Sequence, residues 1–239
     1  MKLGIMQPYF YPYLGYWQLL NAVEKYVVYD DVNYIKGGWV NRNRILVNNQ
    51  PHFINIPLLG ASPNKLINEI NVNHDERLIK KTLKTIESNY KKAPFFDNVY
   101  QIVKESLYYS EQNLAKYLFV VIEKICNYLQ IETKLIMSST IDKNNSLRGQ
   151  DKVIEICRCL EADQYINAVG GTKLYDFSTF KNNGIRLLFL KSNEIVYRQF
   201  DDKSFQPGLS ILDVMMFNSV EEIQNMLTKY TLIDNLNQI

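Results

Sequence analysis

Within its first 30 residues the chain sets out a strand, a helix and a second strand, and that succession constrains what can follow. Leu3–Gln7 is a short apolar run closed by Pro8, a residue that cannot donate to a strand ladder. Leu14–Lys25 carries apolar side chains at Leu14, Trp17, Leu20, Ala22 and Val23, close to helical spacing. Tyr26–Tyr29 is β-branched and aromatic and runs into Asp30-Asp31, as a buried strand would. Two strands joined through a helix lie side by side in parallel, with a right-handed crossover. The opening therefore predicts an α/β fold with a mostly parallel sheet.

The same alternation returns later. Strands are predicted at Lys134–Met137, Tyr165–Asn167 and Ile185–Leu190, with helices at Gly149–Leu160 and Asp176–Lys181 and Gly184 as a C-cap. Arg44–Val47 and His52–Ile56 flank Asn48-Asn49-Gln50-Pro51 and read as a hairpin, and Glu69–Val72 reads as a further strand. Between the two α/β halves lie three helical patterns: Asp75–Tyr90 with Asp75 as its cap, Phe96–Tyr109 and Gln112–Leu129. Two more, Ile211–Phe217 and Val220–Leu227, close the chain. One α/β domain over residues 1–239, with a mainly helical insertion at about 75–130, accounts for this order.

Composition narrows the function. Basic residues number 27 and acidic residues 25, a net charge of +2 with no basic stripe, which argues against a nucleic-acid partner. Apolar residues at 46% and charged residues at 22% suit an ordinary globular core and exclude disorder or a coiled coil for the whole chain. No apolar run approaches the roughly 20 residues of a transmembrane helix, and the opening Met1–Gln7 has no secretory leader. With three cysteines, Cys126, Cys157 and Cys159, no disulfide framework is expected, and a cytoplasmic location follows. His52 and His74 are the only histidines, and no His/Cys spacing fits zinc; neither a metal nor a cofactor is expected.

Four constellations could carry chemistry. The loop from Gln7 to Trp17 holds Tyr9, Tyr13 and Tyr16 between the first strand and first helix, where open α/β sheets bind ligands. Its rings suit stacking on a base or sugar; the alternative is an aromatic minicore that pins the loop. Asp30 and Asp31 end the second strand and could accept a sugar hydroxyl, hold a cation or act as a base, or form a solvated turn. Because neighbours on a strand point opposite ways, one of the two faces any pocket. Lys36–Ile45 reads as a polar loop in which Trp39, Asn41, Arg42, Asn43 and Arg44 could bind phosphate or carboxylate; the alternative is a basic surface loop. Gly170, Gly171, Tyr175 and Asp176 follow a strand and could wall the same crevice or make a plain tight turn.

Long stretches of this sequence resemble the WbqC-like protein family. They are Gln7-Pro8-Tyr9-Phe10-Tyr11-Pro12-Tyr13-Leu14-Gly15-Tyr16-Trp17, Tyr29-Asp30-Asp31-Val32-Asn33-Tyr34-Ile35-Lys36 and Trp39-Val40-Asn41-Arg42-Asn43-Arg44-Ile45. The likeness continues through Asn89–Phe96, Ala162–Tyr165 and Ser210–Asn218. It implies a cytoplasmic step in bacterial surface-polysaccharide (O-antigen) biosynthesis, a transferase that attaches an acyl or aminoacyl group to a nucleotide-linked amino sugar. On that reading the aromatic loop stacks on base or sugar, Arg42 and Arg44 hold the diphosphate, and Asp30 or Asp31 is the catalytic carboxylate. The expected partners are that sugar and an activated acyl donor, and the aromatic-rich surface leaves a homodimer open.

A looser likeness, at the level of fold, links the opening to HIGH-type nucleotidyltransferases and pantothenate synthetase, with Tyr13 and Tyr16 where those enzymes carry histidines. It implies a Rossmann-like, HUP-type sheet and raises an ATP-dependent ligase or nucleotidyltransferase as the alternative activity. A non-catalytic module binding a sugar nucleotide or carrier is the third reading.

Overall fold

The structure, a computed structural model, describes residues 1–200 and 205–234. It opens with β1 (Lys2–Met6), α1 (Leu14–Asn21) and β2 (Lys25–Val28). A hairpin, β3 (Arg42–Val47) and β4 (Gln50–Asn55), and a two-residue pairing, β5 (Leu58–Leu59) with β6 (Asn71–Val72), lead to α2 (Glu76–Tyr90), α3 (Phe96–Leu107) and α4 (Leu114–Leu129). The chain then returns through β7 (Lys134–Met137), α5 (Gly149–Cys159), β8 (Gln164–Ala168), α6 (Phe177–Asn182) and β9 (Arg186–Ser192). It finishes with α7 (Ile211–Phe217), α8 (Val220–Leu227) and β10 (Tyr230–Ile233).

The central sheet has six strands in the order β10-β9-β8-β1-β2-β7. All neighbours are parallel except β9 and β10. The parallel sheet expected from the opening unit is therefore present, with an antiparallel edge. From β1 the chain steps outward to β2 and β7, then crosses to β8 on the other side of β1 and continues to β9. Parallel pairing places the carboxyl ends of β1, β2, β7, β8 and β9 along one edge.

Helices cover both faces, and the strands alternate to meet them. Leu3, Ile5, Val27, Tyr165, Leu187 and Phe189 pack with Val153, Ile156 and Cys157 of α5 and Phe180 of α6. Their neighbours Tyr26, Val28, Ile166, Leu188 and Leu190 pack on the opposite face with residues of α1, α4, α7 and α8. Burying each such side chain contributes about 1.5–3 kcal/mol, so a one-residue slip, which would exchange the faces, is strongly disfavoured. Gly4 lies under the Tyr26 ring: a Cβ there would come within 3.0 Å of Tyr26 Cδ2. At the far side of α1, the buried Gln18 donates to the carbonyls of Met226 (2.9 Å) and Lys229 (3.0 Å), fastening the helix to the start of the last strand.

Local differences from the sequence reading have simple causes. The hairpin turn is the two residues Asn48-Asn49, both left-handed at φ 49° and 59°, which asparagine tolerates, so its strands extend to Arg42 and Gln50. Arg42 and Asn43, read as loop, are therefore strand, and so are Arg44 and Ile45, which fell within both the loop and the hairpin readings. The strand expected at Glu69–Val72 is only Asn71–Val72, because Ile67–Glu69 forms a 3₁₀ turn. β5 and β10 have no counterpart in the sequence reading; β10 completes the sheet by pairing with β9. The Asp75 cap is present, accepting from the Arg77 N–H at 2.8 Å, and Gly184 follows α6 at φ +73°.

Candidate functional site

Where β2 and β7 end side by side, the chain continues as Tyr29–Asp31 and Ser138–Thr140. A crevice of about 300 Å³ opens there, lined among others by Tyr29, Asp31, Asn68, Ser139, Arg148 and Lys152. The last two come from the start of α5. Asn68 belongs to the Ile67–Glu69 turn, which is tied to the strand end by Ile67 N–H to Val32 O (2.9 Å) and Asn68 N–H to Asp30 O (3.1 Å).

Asp31 organises the floor. Its Oδ2 takes Lys143 Nζ at 2.9 Å and Lys152 Nζ at 3.0 Å, and the two lysine side chains are only 0% and 4% exposed. Lys152 also donates to the Asp31 carbonyl at 2.8 Å, and Lys143 donates to the Ser138 carbonyl. Burial pushes the Asp31 carboxyl up, yet the Ser138 hydroxyl and the two ammonium groups outweigh it and hold the acid below the usual carboxylate range. Asp31 Oδ1 and Ser138 Oγ are both buried and lie outside normal hydrogen-bond geometry with any described group, so the hydroxyl's influence is a near approach rather than a formed bond. Lys152 further sits 5.3 Å from the Tyr29 ring centroid, a cation–π distance. Tyr29's hydroxyl is raised by burial and by the nearby Asp31.

Asp30 points the other way and is fully buried. Its Oδ1 accepts the Ser139 N–H at 2.9 Å and its Oδ2 the Asn68 amide at 3.3 Å. As strand geometry requires, Asp31 lines the crevice while Asp30 braces two of its walls. A carboxylate with a lowered pKa stays charged near neutrality, so Asp31 can orient a ligand's hydroxyl or amine.

The remaining sequence candidates are distributed over several places. Gln7 reaches the crevice rim, donating to the Asn33 carbonyl at 3.4 Å. Tyr9 and Tyr16 pack together (5.7 Å), and Tyr16, 1% exposed, also meets Tyr26 at 5.5 Å and directs its hydroxyl to Gln7 O at 3.3 Å. Tyr13 is exposed and lies on Gly15, where a Cβ would come within 2.5 Å of the ring. It borders a separate cleft of about 600 Å³ with Ser192, Ile195, Tyr197 and Phe205.

Asn41 accepts from the Tyr34 hydroxyl (2.8 Å) and donates to Ile56 O (3.0 Å); Asn43 is buried and donates to the carbonyls of Phe10 and Tyr11. Arg42 donates to the carbonyls of Gly37 and Gly38 and lies over Phe53 at 4.5 Å. Arg44 donates to Gly208 O and lies over Trp39 at 5.5 Å. Neither arginine lines the Asp31 crevice. Gly170 and Gly171 sit in a 3₁₀ turn, Gly171 against the Asn167 amide. Tyr175 shares a 3.2 Å hydroxyl contact with Tyr165, and Asp176 caps α6, held down to about 2 by Ser178 and Thr179.

A profile of the WbqC-like protein family matches residues 7–225, from the end of β1 through most of α8. The chain belongs to the WbqC-like family. It is also similar to an uncharacterized protein of Mycobacterium tuberculosis, 27% identical over 222 residues that cover 91% of this chain and 93% of the relative. No solved structure matches. In this WbqC-like chain the crevice depends on residues that the sequence reading passed over: Lys143, Arg148, Lys152, Asn68 and Ser139. Lys152 carried a signal, since it precedes Ile156 by one helical turn on the inward stripe of α5, where a charged residue is unusual. The other four lie in irregular segments or at the helix boundary and carried none. No helix among the described residues is long and apolar enough to cross a membrane, and no metal-binding cluster occurs among them.

Proposed function

We propose that this WbqC-like protein is a cytoplasmic transferase of bacterial surface-polysaccharide assembly that binds a nucleotide-linked amino sugar in the Asp31 crevice and joins an acyl or aminoacyl group to its amine. The observation that carries the reading is the Asp31 carboxylate, held below its usual pKa range and fixed by two buried lysines at the carboxyl edge of a parallel sheet, in the lining of a polar crevice. That edge is where open α/β sheets hold small ligands.

In the reaction the amine lone pair attacks the acyl carbonyl carbon, the bond to the donor's leaving group breaks, and the departing group takes up the proton that the amine loses. Asp31 orients the amine through Oδ1, the oxygen that its lysines leave without a partner, and Asn68, braced by Asp30, contacts the sugar.

The strand order, which runs outward from β1 on one side and then on the other, also suits a Rossmann-like, HUP-type sheet and keeps an ATP-dependent ligase as the second reading. Against the ligase stands Tyr16, buried with its hydroxyl on Gln7 O, where a phosphate contact would be needed.

Incubation with nucleotide-linked amino sugars and acyl-CoA or aminoacyl donors, read by mass spectrometry, tests this. The expected result is an N-acylated sugar nucleotide, with kcat/KM reduced about tenfold or more in Asn68→Ala, the size of a lost hydrogen bond to a charged or reacting group. Pyrophosphate release from ATP with no acylation by any donor would replace the transferase with the ligase.

A further inference from the structure

We infer that the mouth of the crevice is a phosphate site in which Lys152 and Arg148, at the start of α5, hold the diphosphate of the ligand. The inference rests on the small-molecule reading above and names the part of the substrate that this corner recognises.

The charges at the crevice do not balance. Lys143, Lys152 and Arg148 bring three positive charges against the two carboxylates Asp30 and Asp31. Lys143 is shut away beneath, on Asp31 Oδ2 and the Ser138 carbonyl, and is not part of the crevice lining. Lys152 lines the crevice. Of its three N–H donors, one goes to Asp31 O and one to Asp31 Oδ2, which leaves a third for a ligand.

Arg148 is exposed at the rim and spends Nη1 on the carbonyls of Asn145 and Leu147, so the rest of its fork remains for a bidentate anion contact. α5 is 11 residues long, and no side chain caps its N-terminus. Its first-turn N–H groups add to the same positive corner. Asp31, the one acid in the lining, turns Oδ2 inward to the lysines. Phosphate fits this donor set better than a neutral sugar does, because a point-charge ammonium and a guanidinium fork together match a group with several anionic oxygens.

Isothermal titration calorimetry of the full chain with inorganic pyrophosphate tests the site, with succinate as a carboxylate control and a free nucleoside as an uncharged one. The wild type is expected to bind pyrophosphate in preference to succinate, more weakly as salt rises. Arg148→Gln is expected to weaken it about tenfold or more, and Lys152→Gln at least as much. Arg148 makes only local carbonyl contacts, so its variant separates loss of binding from loss of fold.

No heat with pyrophosphate, a preference for succinate, or wild-type binding by Arg148→Gln would each overturn the site. Pyrophosphate binding without acylation of any amino sugar would leave the phosphate site standing and remove the transferase reading. Acylation with an unchanged KM in Arg148→Gln would do the reverse.

Discussion

Replacing Asp31 with Asn keeps the shape of the side chain but removes the one negative charge shared by two buried ammonium groups. The Lys143 and Lys152 side chains are 0% and 4% exposed, and Asp31 itself is 9% exposed, so solvent cannot take over the neutralisation. Removing one partner of a buried pair costs about 3–5 kcal/mol, against about 5–15 kcal/mol for the whole stability of a typical domain. With a urea dependence at the upper end of about 1–3 kcal/mol per molar, as suits a chain of 239 residues, the midpoint of unfolding should fall by about 1–2 M.

The pH dependence adds a second check. Asp31 is held below its ordinary range, so its contribution is present above the unfolded carboxylate value and is lost as pH falls through the lower folded one. The gap between wild type and variant should therefore narrow in acid. Urea titrations of both proteins from about pH 3, below the ordinary carboxylate range, to about pH 7 measure this. A loss below about 1 kcal/mol, unchanged across that range, is the behaviour of an exposed pair and would refute the reasoning.

Two further outcomes are expected away from the crevice. Asp213 is buried and accepts from Tyr197 (2.6 Å), Tyr90 (2.7 Å) and Gln199 (2.8 Å); burial nevertheless raises its carboxyl above the usual range. An acid with a raised folded pKa adds stability at low pH that is lost as pH rises through that value. Tyr197→Phe should cost about 1.5–3 kcal/mol near pH 7, less at pH 3, and move the Asp213 titration seen by carboxyl NMR still higher. Among the cysteines, burial pushes the Cys126 and Cys157 thiols up to about 12, while Cys159 is exposed. A disulfide-exchange reagent should label one thiol of the native protein promptly and the other two only on unfolding; three fast thiols would contradict the packing of α4 and α5.

The sheet was legible because a strand covered on both faces must be apolar at successive positions, as in Tyr26-Val27-Val28 and Leu187-Leu188-Phe189-Leu190. β10 was not, since Thr231 and Leu232 are exposed and the strand owes its place to pairing with β9 rather than to its own pattern. In the site, two acids at the end of a buried strand could be read directly. Whether an aromatic loop binds a ligand or fills a core could not: Tyr13 is 43% exposed and Tyr16 is 1% exposed, although the same residue type stands three positions away. Arg42 reads as loop because Gly37-Gly38 and the carboxamides Asn41 and Asn43 surround it, and Arg44 falls at the meeting of that loop and a strand; their strand partners Asn55 and Phe53 become visible only with the register. Lys143 reaches Asp31 because β7 lies beside β2, a pairing that spans more than a hundred residues of chain, and Asn68 reaches Asp30 because the Ile67–Glu69 turn bonds back to the end of β2.

The ion cluster under the crevice also bears on why those charges are there at all. β2 and β7 are already held by their parallel ladder and by Val27 and Val28 on opposite faces. Apolar side chains of similar volume at 31, 143 and 152 would close the same space with no desolvation penalty, and such replacements are often neutral or stabilising. The fold therefore does not require a carboxylate with two buried lysines. What the cluster does supply is a carboxylate paired with Lys143 and Lys152 at the crevice floor, with Lys152 also in the lining beside Arg148. On the proposed function, a ligand that presents an amine or hydroxyl next to a phosphate would meet Asp31, Lys152 and Arg148 already in place in the crevice lining.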